Sequence, residues 1–260
     1  FKVLGIEPKE FASMSWYRDD FSERPIGSVL SSLTPARPVE RLLLPNGVDA
    51  ISVWAKPLER YPFMFLWLVL QDSRGKVQTI SLGQLGPPEW RLMTGAVPLG
   101  LKDPLELISV QIFEPVSGAS GTVGAVSVDE IQAVTGEKTI VIEDFEGYSQ
   151  WIPLATSALS EDTLALNLAD AKGGSRSVRF SFSKDTNSGI RGFYRSPTGG
   201  ALPVVASNGF LQAVELEVGD TVVVSLLGRL IPLKIHDSVE LFPTMDPRAG
   251  GFLLADVADM

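Results

Sequence analysis

A two-residue hydrophobic period, interrupted repeatedly by glycine and proline, is the feature that most limits what this chain can fold into. Val178, Phe180 and Phe182 alternate with Arg179, Ser181 and Ser183, so an extended backbone puts the apolar set on one face and the polar set on the other. Leu164, Leu166 and Leu168 alternate with Ala165, Asn167 and Ala169 in the same way, and Ile108, Val110 and Ile112 with Ser109 and Gln111. Ile51 and Val53 bracket Ser52, and Trp54 then faces the opposite side. Phe63 to Leu70 is apolar at every position. It is expected to be a central strand covered on both faces, with Trp67 in the core. Turn-forming stretches separate these runs: Pro45-Asn46-Gly47, Asp72-Ser73-Arg74-Gly75, Gly86-Pro87-Pro88, Gly173-Gly174, Gly199-Gly200 and Gly228-Arg229. Short strands punctuated in this way belong to a sandwich or barrel and not to a βαβ sheet, so the expected class is all-β.

Helical signals are few. Ser22 precedes Pro25, and Val29, Leu30 and Leu33 follow at helical spacing, which predicts one short helix near the start. Ser207 is placed to cap a second helix running through Phe210, Leu211 and Val214. Two polar breaks divide the strand-rich regions, Thr135-Gly136-Glu137-Lys138 and Ser196-Pro197-Thr198-Gly199-Gly200. They mark out four expected parts: an N-terminal segment over 1–37, a sandwich over 38–135, a second, partial sandwich over 136–198 and a small β-unit over 199–260.

Composition narrows the chemistry. Lys and Arg number 22 against 31 Asp and Glu, a formal charge of −9 that a nucleic-acid backbone or an anionic lipid surface would repel. With no Cys, the chain has no disulfide framework, thiolate metal site or cysteine nucleophile. Its single His, His236, shares a strand face with Lys234 and reads as a surface residue. No nucleophile elbow, phosphate-binding loop or dinucleotide fingerprint is present. The chain opens on Phe1 without the basic, apolar and small-residue pattern of a signal peptide, and reads as a piece of something longer. Its longest apolar run falls far short of the roughly 20 residues needed to span a bilayer. The expectation is a non-enzyme.

Two constellations stand out. Glu143-Asp144-Phe145-Glu146-Gly147 followed by Trp151 resembles the entry strand of jelly-roll carbohydrate-binding modules, and Asp129-Glu130 the matching exit strand. In those modules oxygens near this edge hold a structural Ca²⁺, a hard cation that takes six to eight oxygen ligands. The resemblance thus implies a calcium site at Asp129, Glu143 and Glu146, although the same residues also read as solvated carboxylates at strand ends. The second constellation is the five tryptophans, Trp16, Trp54, Trp67, Trp90 and Trp151. Exposed aromatics stack on sugar rings, while buried ones carry much of a sandwich core. Trp90, in a loop after Pro87-Pro88, and Trp151 are the ligand-binding candidates.

The most specific stretch is the C-terminal quarter. It reads Leu202-Pro203-Val204-Val205-Ala206-Ser207, Gly209-Phe210-Leu211, then Val218-Gly219-Asp220-Thr221-Val222-Val223-Val224. Ile231-Pro232-Leu233-Lys234-Ile235, Leu241-Phe242-Pro243-Thr244-Met245 and Gly250-Gly251-Phe252-Leu253-Leu254-Ala255-Asp256 follow. This order resembles the small extracytoplasmic β-subdomain of FtsX-like (MacB-type) ABC transporter permeases. Upstream, Phe11 and Ser15-Trp16-Tyr17-Arg18-Asp19-Asp20-Phe21 resemble the segment before a jelly roll in large-loop members. The regions 38–135 and 136–198 are similar to galactose-binding-like jelly-roll sandwiches inserted in such loops. The resemblance implies a non-catalytic domain on the extracytoplasmic face of a bacterial membrane. Its partners would be the helices of its own permease, a cytoplasmic ATPase indirectly, and an extracytoplasmic protein, lipid or glycan. It would bind a substrate or partner, or pass ATPase-driven motion outward as rigid β-domains. Such a role expects the chain ends to lie together, facing the membrane. The alternative is an independent carbohydrate-binding module, and a hydrolase with a carboxylate pair is the third reading.

Overall fold

Alternation in the sequence becomes pairing in the computed structural model, which describes residues 1–14, 21–33, 41–115, 122–147, 150–154, 161–183, 190–196, 200–226, 228–245 and 251–259. In chain order the elements are β1 (Lys2–Ile6), α1 (Pro8–Met14), α2 (Ile26–Ser31), β2 (Ala50–Pro57), β3 (Phe65–Gln71), β4 (Val77–Gln84), β5 (Arg91–Ala96) and β6 (Glu106–Phe113). Then come β7 (Gly124–Thr135), β8 (Lys138–Glu143), β9 (Trp151–Pro153), β10 (Thr163–Asn167), β11 (Ser177–Phe182) and β12 (Ile190–Arg195). The last are β13 (Leu202–Ser207), α3 (Asn208–Val214), β14 (Thr221–Leu226), β15 (Arg229–Val239) and β16 (Phe252–Asp256). The chain is mainly β, as its period requires. No helix among the described residues is long and apolar enough to cross a membrane.

The backbone divides into two compact units, one of residues 40–196 with 225–230, the other of 1–39, 197–224 and 231–260. The first is a β-sandwich. One sheet runs β10-β11-β7-β2-β5 with β8 beside β7, the other β4-β3-β6-β12-β9. All its strand pairs are antiparallel. The inward residues of both sheets form one core, Val53, Val128, Val178 and Phe180 from the first and Leu66, Leu68, Ile112 and Phe193 from the second.

The four expected parts therefore regroup. Thr135 to Lys138 is not a boundary but the turn of a hairpin, since Thr135 pairs with Lys138 and Gly136 takes the positive φ of 56° that a two-residue turn asks for. The strands after it do not build a second sandwich. They complete the first, β10 and β11 extending one sheet and β9 and β12 the other. The region around Trp67 also differs from expectation. Leu66, Leu68 and Leu70 fill the core, while Trp67 stays half-buried on the outer face and stacks on Phe113 with centroids 4.2 Å apart. At the sheet's edge, Leu164 packs on the core, but Leu166 and Leu168 are 45% and 74% exposed because β10 stops at Asn167.

The second unit is built from both ends of the chain. Its sheet runs β1-β16-β13-β15-β14, with β1 parallel to β16 and β13 parallel to β15. Every residue of β13 is buried, as a central strand covered on both faces must be. The predicted helices both form: Pro25 precedes α2, whose Val29 and Leu30, with Leu33, pack on Val205, Val239, Phe252 and Leu254. Ser207 caps α3 by accepting the Phe210 N–H at 3.2 Å. The N-terminal segment and the C-terminal β-unit thus share one core, in which β13, β15 and β16 supply apolar surface for Val29, Leu30 and Leu33.

Candidate functional site

The three carboxylates expected to hold calcium accept hydrogen bonds from the protein itself. Trp54 pairs with Asp129 and Val53 with Ile131, so Glu130 is an extra residue in β7, a β-bulge with φ of 38°. The bulge turns Asp129 into a fully buried position. Its Oδ1 accepts the Glu130 N–H at 2.9 Å, and its Oδ2 accepts those of Lys172 at 2.7 Å and Gly173 at 3.0 Å. Burial nevertheless pushes the Asp129 carboxyl above its ordinary pKa. Glu143 accepts from the Phe145 N–H, the Trp151 indole at 2.9 Å and the Arg195 guanidinium at 2.8 Å. Glu146 accepts from the Ser175 hydroxyl at 2.6 Å and from the N–H groups of Ser175 and Arg176, which together hold its pKa below the usual range. Among the described residues no three His, Asp or Glu side chains come together to hold a metal ion.

These acids are clamps on one loop. Asp129 and Glu146 grip residues 172–176 by backbone N–H groups, and the Gly173-Gly174 pair lets them approach. A Cβ on Gly173 would lie 2.0 Å from Glu130 Oε1, and one on Gly174, at φ 58°, 2.3 Å from Glu146 Oε1. The loop carries Asp170 and Lys172 onto the outer face of the six-stranded sheet.

There the loop meets two tryptophans. The alternation that buries Val53 and Ala55 sends Trp54 and Lys56 outward from β2. Lys172 Nζ stands over the Trp54 ring, 4.2 Å from its centroid. Trp90, half-buried, donates its indole N–H to Asp170 Oδ1 at 2.9 Å, and Lys56 reaches Asp170 Oδ2 at 2.7 Å. Lys56 above all, and then Trp90, keep the Asp170 carboxyl below its ordinary pKa. The Asp170 carbonyl accepts from Ser177 Oγ at 2.7 Å and Asn167 Nδ2 at 3.2 Å, which fixes the loop to β11 and β10. Beside this network lies a cavity of about 200 Å³ whose lining includes Lys56, Leu58, Ser127, Asn167, Asp170 and Arg179.

Trp90 thus falls within the assembled site, whereas Trp151 does not. Trp151 is 5% exposed, edge-on to Phe193 in the core with its N–H spent on Glu143, so it offers no surface for stacking. Trp16 lies outside the described residues. His236 is exposed on β15, and no hydrogen-bond partner orients it among the described residues. Sequence reasoning missed Asp170, Lys172 and Arg179. Only their polar outward positions in the β10–β11 stretch marked them, and Lys56 lies 114 residues away from Asp170 along the chain. A larger cavity, about 530 Å³, occurs in the second unit, where β13 and β15 end. Among its lining groups Arg24 donates to Asp237 at 2.8 Å and Asn208 to Glu240 at 2.8 Å. Compared with known proteins, the chain matches no family model, no curated protein and no solved structure.

Proposed function

We propose that this chain is a non-catalytic binding module whose ligand is a carbohydrate, bound on the outer face of the six-stranded sheet. The observation that carries the reading is Trp90, half-buried on a sheet face and locked by its indole N–H to Asp170 beside an open polar cavity. A flat aromatic face takes the C–H side of a sugar ring, while carboxylate, amide and hydroxyl groups at its rim exchange hydrogen bonds with sugar hydroxyls. Because Asp170 already fixes Trp90, little side-chain entropy is lost on binding. The non-catalytic part is supported by how the acids are used, since Asp129, Glu143 and Glu146 all accept from protein donors. A glycan array followed by fluorescence titration tests the proposal. Trp emission should respond to a bound glycan in the wild type, and Trp90→Ala should weaken binding at least tenfold with its melting temperature retained. No glycan bound at millimolar concentration would overturn it.

The permease reading has one observation in its favour. The first and last strands, β1 and β16, are neighbours in one sheet, so both ends of the chain leave from the same small unit. They run in the same direction, however, with Lys2 opposite Phe252 and Ile6 opposite Asp256. The ends therefore depart from opposite ends of the pair, about 16 Å apart for strands of five residues. A domain held between two membrane helices on one side would need the chain to turn back after Asp256. Apolar helices encoded immediately outside residues 1 and 260, beside an ATPase gene, would support this reading, and their absence would remove it.

A further inference from the structure

The cavity beside Trp90 has a charge that a neutral sugar does not call for. Lys56 on β2 pairs with Ser127 on β7, and Ser127 with Arg179 on β11. The three side chains leave one level of the same sheet face, on strands about 4.8 Å apart, and all line the cavity. Lys56 is matched by Asp170. Arg179 also bears on Asp170, whose carboxyl its charge helps to lower, but among the described residues no oxygen accepts a hydrogen bond from its half-buried guanidinium. Ser127 Oγ accepts from Asn167 Nδ2 at 3.3 Å, which leaves its own proton to donate. One cation without an acceptor, an adjacent hydroxyl donor and a balanced Lys–Asp pair make the cavity net positive in a chain of charge −9. We infer that the cavity binds the anionic substituent of an acidic glycan, a carboxylate or sulfate oxygen pair facing the Arg179 guanidinium, with Ser127 donating alongside. A planar guanidinium matches either group with two parallel hydrogen bonds.

The inference rests on the carbohydrate reading of the same face, and its test separates the two. The intact chain is titrated by calorimetry with an oligogalacturonide, a neutral galacto-oligosaccharide of the same length and a sulfated one, at low and physiological salt. An acidic ligand should bind at least tenfold more tightly than the neutral one, and added salt should narrow the difference. Arg179→Gln should abolish that preference, weakening the acidic ligand at least tenfold more than the neutral one, and Arg179→Lys should restore part of it. Preference for the uronate identifies a carboxylate, and preference for the sulfated chain a sulfate ester; either supports the inference. Equal binding of neutral and acidic sugars, or an acidic preference that survives Arg179→Gln in a folded variant, overturns it and leaves the carbohydrate reading standing. Binding of none of the three overturns the inference, and the carbohydrate reading then stands or falls on the glycan array.

Discussion

Removing the Asp129 carboxylate tests how the candidate face is built. Asp129→Ala takes away the acceptor of three backbone N–H groups, those of Glu130, Lys172 and Gly173. A donor left unpaired on burial costs about 1–3 kcal/mol, and a loop that can lift toward water recovers part of that, so about 1 kcal/mol each and about 3 kcal/mol in all is expected. For a unit of this size that is roughly 6–12 °C in melting temperature. Asp129→Asn keeps one oxygen for Lys172 and Gly173 and loses only the Glu130 bond, about 1 kcal/mol, offset in part because no charge is buried. The pH dependence has a definite sign. Burial raises the folded pKa of Asp129 above its ordinary value of 3.8, so below that value the carboxyl is neutral in both states. As pH rises from there through the folded pKa, the wild type loses stability relative to Asp129→Asn, which does not titrate. Thermal unfolding between pH 3 and 7, with amide exchange read at Lys172 and Gly173, measures all of this. The reasoning is refuted if Asp129→Ala unfolds within about 1 kcal/mol of wild type with exchange at those two amides unchanged.

Three further substitutions test the packing and the caps. Gly192 sits where a Cβ would come 2.1 Å from the Val110 carbonyl oxygen, at φ 144°, so Gly192→Ala should cost about 3 kcal/mol or more and lower the yield of folded protein. By contrast Gly27→Ala, helical and open on all sides, should raise stability by about 0.5–1 kcal/mol, and paired melting curves check both. Ser207→Ala orphans the N–H groups of Phe210 and Phe252, which donate to its buried Oγ at 3.2 and 2.9 Å. Chemical denaturation should show a loss of about 2–3 kcal/mol.

What the sequence revealed and what it hid follow a physical line. Signals that act within a few residues were legible: the alternation of Val178, Phe180 and Phe182, the Pro25 start of α2 and the Ser207 cap of α3 all have their counterparts in the fold. Signals that depend on which strand lies alongside were not. Thr135-Gly136-Glu137-Lys138 has the composition of a linker and of a hairpin turn alike, and only the pairing of β7 with β8 decides between them. Leu166 and Leu168 alternate as core residues do, yet a sheet's edge gives them nothing to cover them. Asp129 reads as a strand-end surface acid, because the bulge at Glu130 that buries it leaves no mark in composition. At the candidate site, Trp54 and Trp90 could be picked out as an outward residue and a loop residue. Their partners Asp170 and Lys172 arrive only when β10, β11 and β2 share a sheet.

The pairing of β1 with β16 also sets an order of events during synthesis. The sandwich is contiguous from 40 to 196 apart from the short 225–230 piece, so nearly all of its strands can pair while the rest of the chain is still being made. β1 has β16 as its one strand neighbour among the described residues, and that partner emerges about 250 residues later. Until then Val29, Leu30 and Leu33 wait without the strands that cover them. Loss of β16 therefore does more than fray an edge. It strips β1 of its partner and takes Phe252 and Leu254 away from Val29, Leu30 and Leu33, leaving apolar surface exposed to chaperones and proteases.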